Sequence, residues 1–150
     1  MATVKTSGFN DLLDGLKEFG ENIDEIADEM LDAGSEVAVE EWKNGIKQER
    51  HRIVNPRGKG YIEKTGYIDT GAMEKAVKSS KKKGKTIAEI YPRGKDKKGV
   101  RNAEKAYILH YGTSSMPGSR FVDKIDDKAS PEVYDAMSKV MDNYMNKHGL

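Results

Sequence analysis

The sequence predicts an α+β domain: a long N-terminal helix and a C-terminal helix packed on a small antiparallel sheet. Three observations predict it. Apolar residues recur at helical spacing from Phe9 to Ile46, and again from Val133 to Tyr144. Between them, Ala76 to Lys82 and Thr86 to Tyr91 flank Lys83-Gly84-Lys85, as the arms of a hairpin flank its turn. The length, 150 residues, suits one domain. Within it, 1–50 reads as a helical arm, 51–101 as a basic hairpin with loops, and 102–150 as helical.

In the arm, Phe9, Leu12, Leu13, Leu16 and Phe19 form one stripe. It continues in phase through Ile23, Ile26, Ala27, Met30, Leu31, Val37, Ala38, Trp42 and Ile46. Ser7 is a candidate N-cap. Gly20 marks a break, because Asn22 with Glu25 three residues later resembles a second cap. A helix from 23 to about 50 would be roughly 40 Å long and would overhang so small a globule. Its stripe, Ile26, Met30, Val37 and Trp42, is therefore expected to be partly uncovered and to meet another subunit.

His51 to Gly66 holds Pro56, Gly58, Gly60 and Gly66 and reads as a long mobile loop. Thr70-Gly71-Ala72-Met73 can open one helical turn. The hairpin is expected within 73–92. Pro92 to Gly99 reads as a second mobile, cationic loop. Asn102 is a candidate cap for a helix through Ala103, Ala106, Tyr107 and His110, stopped by Gly112, where a positive φ is expected. Phe121, Val122 and Ile125 suggest a short helix. Ser130-Pro131-Glu132 then carries the signals of a new start: a cap, Pro at the first helical position, and an acid near the positive end.

Composition narrows the function classes. Lys plus Arg number 26 against 25 for Asp plus Glu, a net charge of +1, which argues against a histone-like role. Cys is absent, so disulfides, thiolate metal sites and cysteine nucleophiles are excluded. Leu, Ile, Val and Phe make only 28 of the 150 residues. A core that thin favours help from oligomerisation. No signal segment or membrane-length apolar run is present, and a soluble cytoplasmic protein is expected. Charge is split along the chain, with net −8 over 1–50 and net +10 over 51–110. That asymmetry suggests facing surfaces, as in a head-to-tail assembly.

Catalytic patterns are missing. Lys85-Thr86 after Gly84 lacks the Gly of a phosphate loop, since Ser79 stands there. His51, His110 and His148 have no metal-ligand spacing, and Asp123, Asp126 and Asp127 read as a solvated helix face. Ser114 and Ser115 have no elbow motif. No enzyme, metal or cofactor is expected. Lys81, Lys82, Lys83, Lys85, Arg93, Lys95, Lys97, Lys98 and Arg101 could contact a partner subunit, stay simply solvated, or contact nucleic acid. Tyr91 is the only aromatic among them, which disfavours base stacking.

The most specific segment is Ala106 to Ser114, containing Tyr111-Gly112-Thr113, followed by Met116-Pro117-Gly118-Ser119-Arg120-Phe121-Val122. It resembles the tail-completion and head–tail joining proteins of tailed bacteriophages, the type of the lambda tail-completion protein. Thr70-Gly71 resembles that family's Thr-Gly step, and Phe121 its aromatic anchor. His110 stands where many members carry Glu, and Arg120 where many carry Pro. The resemblance implies a structural virion protein of the tail or neck, assembled in the host bacterial cytoplasm. It would form a homo-oligomeric ring, a hexamer in the family's manner, and contact tail-tube and head-connector proteins. DNA would pass through without specific binding, and no membrane would be involved. The rival expectation is a cytoplasmic nucleic-acid-binding regulator that uses the basic hairpin and loops.

Overall fold

The computed structural model describes residues 7–54, 71–82, 87–114 and 117–149. Helix α1 spans Ser7–Glu21, and helix α2 spans Ile23–Val54. A single turn, α3, covers Ala72–Lys75. Strands β1 (Val77–Lys81) and β2 (Ala88–Pro92) follow, then α4 (Asn102–Tyr111) and α5 (Phe121–His148). The fold is α+β, mostly helical, with one two-stranded antiparallel sheet among the described residues.

Helices α2 and α5 form the frame and share the largest contact in the molecule. Glycine lets them approach. A Cβ on Gly34 would stand 3.0 Å from Met137 Cγ, and one on Gly45 would overlap the Ile125 side chain. The two glycines are about three turns apart, so they lie on one face of α2. Lys128 Nζ also reaches Glu41 Oε2 across this interface, at 2.7 Å. Both strands of the hairpin lie on α2, and α4 closes over α3 and β2.

The register pairs Val77 with Pro92 and Lys81 with Ala88. Val77 enters the core, and Ile90 packs at its rim. Lys81, on the same face two pleats on, reaches Asp28 and Asp32 of α2. The core itself is small: Ile46, Met73, Val77, Ala106, Leu109, Phe121 and Ile125, with Trp42 and Ile90 among the residues at its rim. Every helix or strand except α1 supplies at least one of these residues. Helix α1 is held at its C-terminal end, where Phe19 lies 5.8 Å from the Tyr144 ring and Glu18 meets His148 at 3.1 Å.

Several sequence expectations are corrected. The helix break falls at Asn22 rather than Gly20. Asn22 Nδ2 donates to the Glu18 carbonyl at 3.0 Å, so the side chain closes α1 instead of opening α2. Helix α2 runs on through Val54, past the expected loop start at His51. The remainder of that loop, 55–66, lies outside the described residues.

Ser130-Pro131 does not start a helix. It lies inside α5, which is continuous from Phe121 to His148. Phe121, Ile125 and Ala129 are buried, and Val133 and Met137 continue the stripe onto Gly34 of α2. Packing along α2 therefore overrides the local stop signal, and Ser130 Oγ instead donates back to the Asp126 carbonyl at 2.6 Å. Asn102 is not the cap of α4 but its first residue. It is 2 % exposed, and its Nδ2 donates to the Arg93 carbonyl at 2.8 Å, fastening the helix to the end of β2.

Candidate functional site

The segment from Tyr111 to Phe121 joins two helix ends by their backbones. Gly112 N–H donates to the Ile108 carbonyl at 2.7 Å. Its φ of 85° and ψ of −172° lie in a region open essentially to glycine alone. This meets the expectation of a positive φ there. Gly112 and Pro117 then form an isolated antiparallel bridge. The chain doubles back so closely that a Cβ on Gly118 would stand 2.5 Å from the His110 carbonyl oxygen.

The returning strand caps α4. Ser119 donates both its N–H and its Oγ–H to the Leu109 carbonyl, each at 3.0 Å, and Arg120 N–H donates to the His110 carbonyl at 3.1 Å. These carbonyls belong to the last turn of α4, which has no partners of its own within the helix. The favour is returned at α5: Val122 N–H donates to His110 Nδ1 at 3.3 Å. The ring's Nε2 lies 3.4 Å from Arg120 Nη1 and 3.7 Å from Asp123 Oδ1. Phe121, 2 % exposed, anchors the junction in the core, with Trp42 edge-on at 6.3 Å.

Arg120 has φ 54° and ψ 32° and is the only non-glycine residue with positive φ among those described. Proline could not stand here, because its ring holds φ near −65°. The junction also displays an exposed aromatic patch. Tyr107 and Tyr111 are 64 % and 55 % exposed with ring centroids 4.6 Å apart, and the Arg120 guanidinium lies 5.1 Å over Tyr111. Thr113 is exposed beside it. Upstream, Gly71 has φ 70° at the start of α3; Thr70 lies outside the described residues.

Among the described residues, the basic side chains form no single patch. Lys81 is turned inward to the acidic helix: its Nζ lies 2.8 Å from Asp32 Oδ1 and 3.7 Å from Asp28 Oδ1, and it donates to the Asp28 carbonyl at 3.2 Å. The hydrogen bond to Asp32 holds its ammonium above the usual lysine range. Part of the charge split between 1–50 and 51–110 is thus satisfied within one chain. Lys82 pairs with Glu89 across the hairpin. Lys83 and Lys85 lie outside the described residues. Arg93 stacks on Tyr91, 4.3 Å from the ring centroid.

The loop expected from Pro92 to Gly99 lies in a hydrogen-bonded turn, 93–101, organised by Asp96. Asp96 Oδ1 accepts from Lys98 N–H and Val100 N–H, both at 2.9 Å, and Oδ2 pairs with Lys105. Lys95 and Arg101 form a bridge across its neck, and Gly94 and Gly99 take positive φ. Lys95, Lys97, Lys98 and Arg101 point outward, with no ion pair among the described residues. The Asp-x-x-Gly spacing of residues 96–99 is the signal that could have found this turn.

The residues expected at a subunit interface divide. Ile26 is 4 % exposed, covered by its own chain, which corrects that expectation. Helix α5 is nearly as long as α2 and lies along it, so the overhang is much smaller than the sequence suggests. Met30, Val37 and Trp42 are half-buried, and Trp42 packs against the chain's own core. Among the described residues, no three His, Asp or Glu gather to hold a metal, and no helix is long and apolar enough to cross a membrane. No family model, curated protein or solved structure matches the chain.

Proposed function

We propose that this chain is a structural protein of a tailed phage or prophage particle, which completes the tail as a homo-oligomeric ring and joins it to the head connector. The observation that carries this reading is the Tyr111–Phe121 junction. The residues behind the family resemblance do architectural work there, and the same junction displays Tyr107, Tyr111 and Arg120 to solvent. Exposed Tyr and Arg supply anchor chemistry for protein recognition, since both are enriched among residues that dominate binding energy. The small core and the short two-stranded sheet of the described residues agree with a subunit that gains stability from its neighbours.

Light scattering on the purified chain, with pull-down of connector and tail-tube proteins from the same genome, tests the reading. A ring that captures a connector, and loses it on Tyr107→Ala with Tyr111→Ala, supports it. A monomer that captures neither overturns it.

One observation favours the second reading, a nucleic-acid-binding regulator: the ordered turn that holds Lys95, Lys97, Lys98 and Arg101 outward. A gel shift at two salt concentrations separates the two. Phosphate contacts would give a steep loss of affinity with salt, and a ring with no such affinity excludes the regulator.

A further inference from the structure

Helix α5 starts without a cap of its own. Its first N–H groups have no acceptor within the helix, and Arg120, at the N-cap, offers no side-chain bond. An acceptor arrives from 12 residues earlier in the chain: Val122 N–H donates to Nδ1 of His110, in the last turn of α4. A ring nitrogen accepts only while it carries no proton. The ring is 5 % exposed, so protein groups rather than water surround it.

Those groups divide according to the charge of the ring. Arg120 Nη1 lies 3.4 Å from Nε2, and its guanidinium repels a charged imidazole. The positive end of α5 does the same. On the other side stands Asp123, whose Oδ1 is 3.7 Å from Nε2. Asp126 also interacts with the ring; burial, with the charges of Asp123 and Asp127, holds its carboxyl above the usual aspartate range. The carbonyl end of α4 favours positive charge, but Ser119 and Arg120 already occupy the Leu109 and His110 carbonyls. The Tyr111 ring stands edge-on to His110 at 4.4 Å, and Phe121, with Trp42 of α2 behind it, brings no charge. The neutral ring and the charged ring thus favour different neighbours.

We propose that His110 is a proton switch for the exposed patch of Tyr107, Tyr111 and Arg120. The neutral ring caps α5 and leaves Arg120 over Tyr111, 5.1 Å from the ring centroid. A proton taken from solvent fills Nδ1, breaks the Val122 bond, leaves the ring paired with Asp123 and drives the guanidinium off Tyr111. Imidazole is the side chain that changes charge near neutral pH. The patch is therefore assembled in mildly alkaline solution and dismantled in mildly acid solution. Phe121 stays anchored in the core, which confines the change to the junction. As regulation of the connector surface, the switch rests on the docking reading; its chemistry belongs to the chain alone.

NMR of the full chain, titrated from about pH 8 to about pH 5, tests the switch. The His110 ring, the Val122 amide and the Tyr111 ring should move with one midpoint. Protection of the Val122 amide against exchange should fall by about tenfold or more, as the loss of one bond implies. The Overhauser contact between Arg120 and Tyr111 should disappear. His110→Asn places an amide oxygen where Nδ1 stands and cannot titrate, so all of these movements should vanish in it.

Should His110→Asn unfold, Asp123→Asn gives a second readout, because the Asp123 side chain is 61 % exposed and tolerates the change. Losing the acid that favours the charged ring should carry the midpoint to lower pH. A Val122 amide indifferent to pH would overturn the switch. So would movements that persist in a folded His110→Asn, which would assign them to Asp123 and Asp126, or a midpoint that Asp123→Asn leaves in place. These spectra need no partner, so each such result leaves the connector reading standing. Failure to capture a connector would overturn that reading without altering the spectra.

Discussion

Gly118 lies against the His110 carbonyl so closely that a single methyl on it would stand 2.5 Å from that oxygen. Backbone, unlike the tip of a side chain, has little room to yield. Gly118→Ala should therefore destabilise the chain by about 3 kcal/mol, the upper end of ordinary overpacking. Gly112→Val, at a φ and ψ open essentially to glycine, should cost about 1–3 kcal/mol. Urea unfolding of both variants checks this. If Gly118→Ala unfolds at the wild-type midpoint, the close return of the chain is wrong.

Arg120 starts α5 from a left-handed conformation. Arg120→Gly removes about 1 kcal/mol of backbone strain but frees the unfolded chain and gives up the contact with Tyr111. The two effects nearly cancel, so its stability should stay close to wild type. Arg120→Pro cannot reach φ 54° and also loses the N–H that bonds His110, so it should be strongly destabilising. The ordering of the two variants is the readout. A well-folded Arg120→Pro would bring the chain back toward the resembled pattern and contradict this backbone.

Much of the fold was legible because short-range rules governed it. Period-3.6 apolar spacing located α2, two arms flanking the Gly-containing segment Lys83-Gly84-Lys85 located the hairpin, and a glycine after an aromatic helix located the positive φ at Gly112. What escaped depended on distant partners. Nothing local to Ile26 says that α5 will cover it, because that depends on α5 running through Pro131. Nothing local to Gly45 says that Ile125 needs its space.

The Lys105 ammonium, joined by the N–H groups of Val100 and Lys98, holds the Asp96 carboxyl below the usual aspartate range. A carboxyl lowered in the folded state contributes stability above its ordinary value near about 3.9, and loses it as pH falls through the lowered value. The turn should therefore stay closed at mildly acid pH and open only in stronger acid. Carbon NMR of Asp96, followed with the Lys98 and Val100 amides, should show all three moving together below that ordinary value. Independent movement of the amides would separate the turn from Asp96.

Trp42 meets Phe121 edge-on at 81° and flanks the core of its own chain. Trp42→Ala should cost about 2 kcal/mol in folding, less than the 3–5 kcal/mol typical of a fully buried tryptophan. If Trp42 served only a subunit contact, the variant would weaken association and leave the monomer's unfolding unchanged. Thermal unfolding at two protein concentrations distinguishes the cases, since a loss confined to the subunit contact would depend on concentration.

Pro131 is exposed and lies inside α5, where it cannot donate to the carbonyl four residues earlier, that of Asp127. If α5 is one helix, Pro131→Ala restores that donor and gains helix propensity. The gain is bounded by the ~3 kcal/mol separating Pro from Ala in a helix interior. Loss of proline's restriction on the unfolded chain takes back about 0.4–1 kcal/mol. The net should be a stabilisation of about 1–2 kcal/mol, read as a raised urea midpoint with an unchanged slope. Had a second helix begun at this point, proline would occupy its first helical position, where its missing N–H costs nothing and its fixed φ helps. The same substitution would then be neutral or harmful. The sign of this one change therefore decides between a continuous α5 and two helices meeting at Ser130.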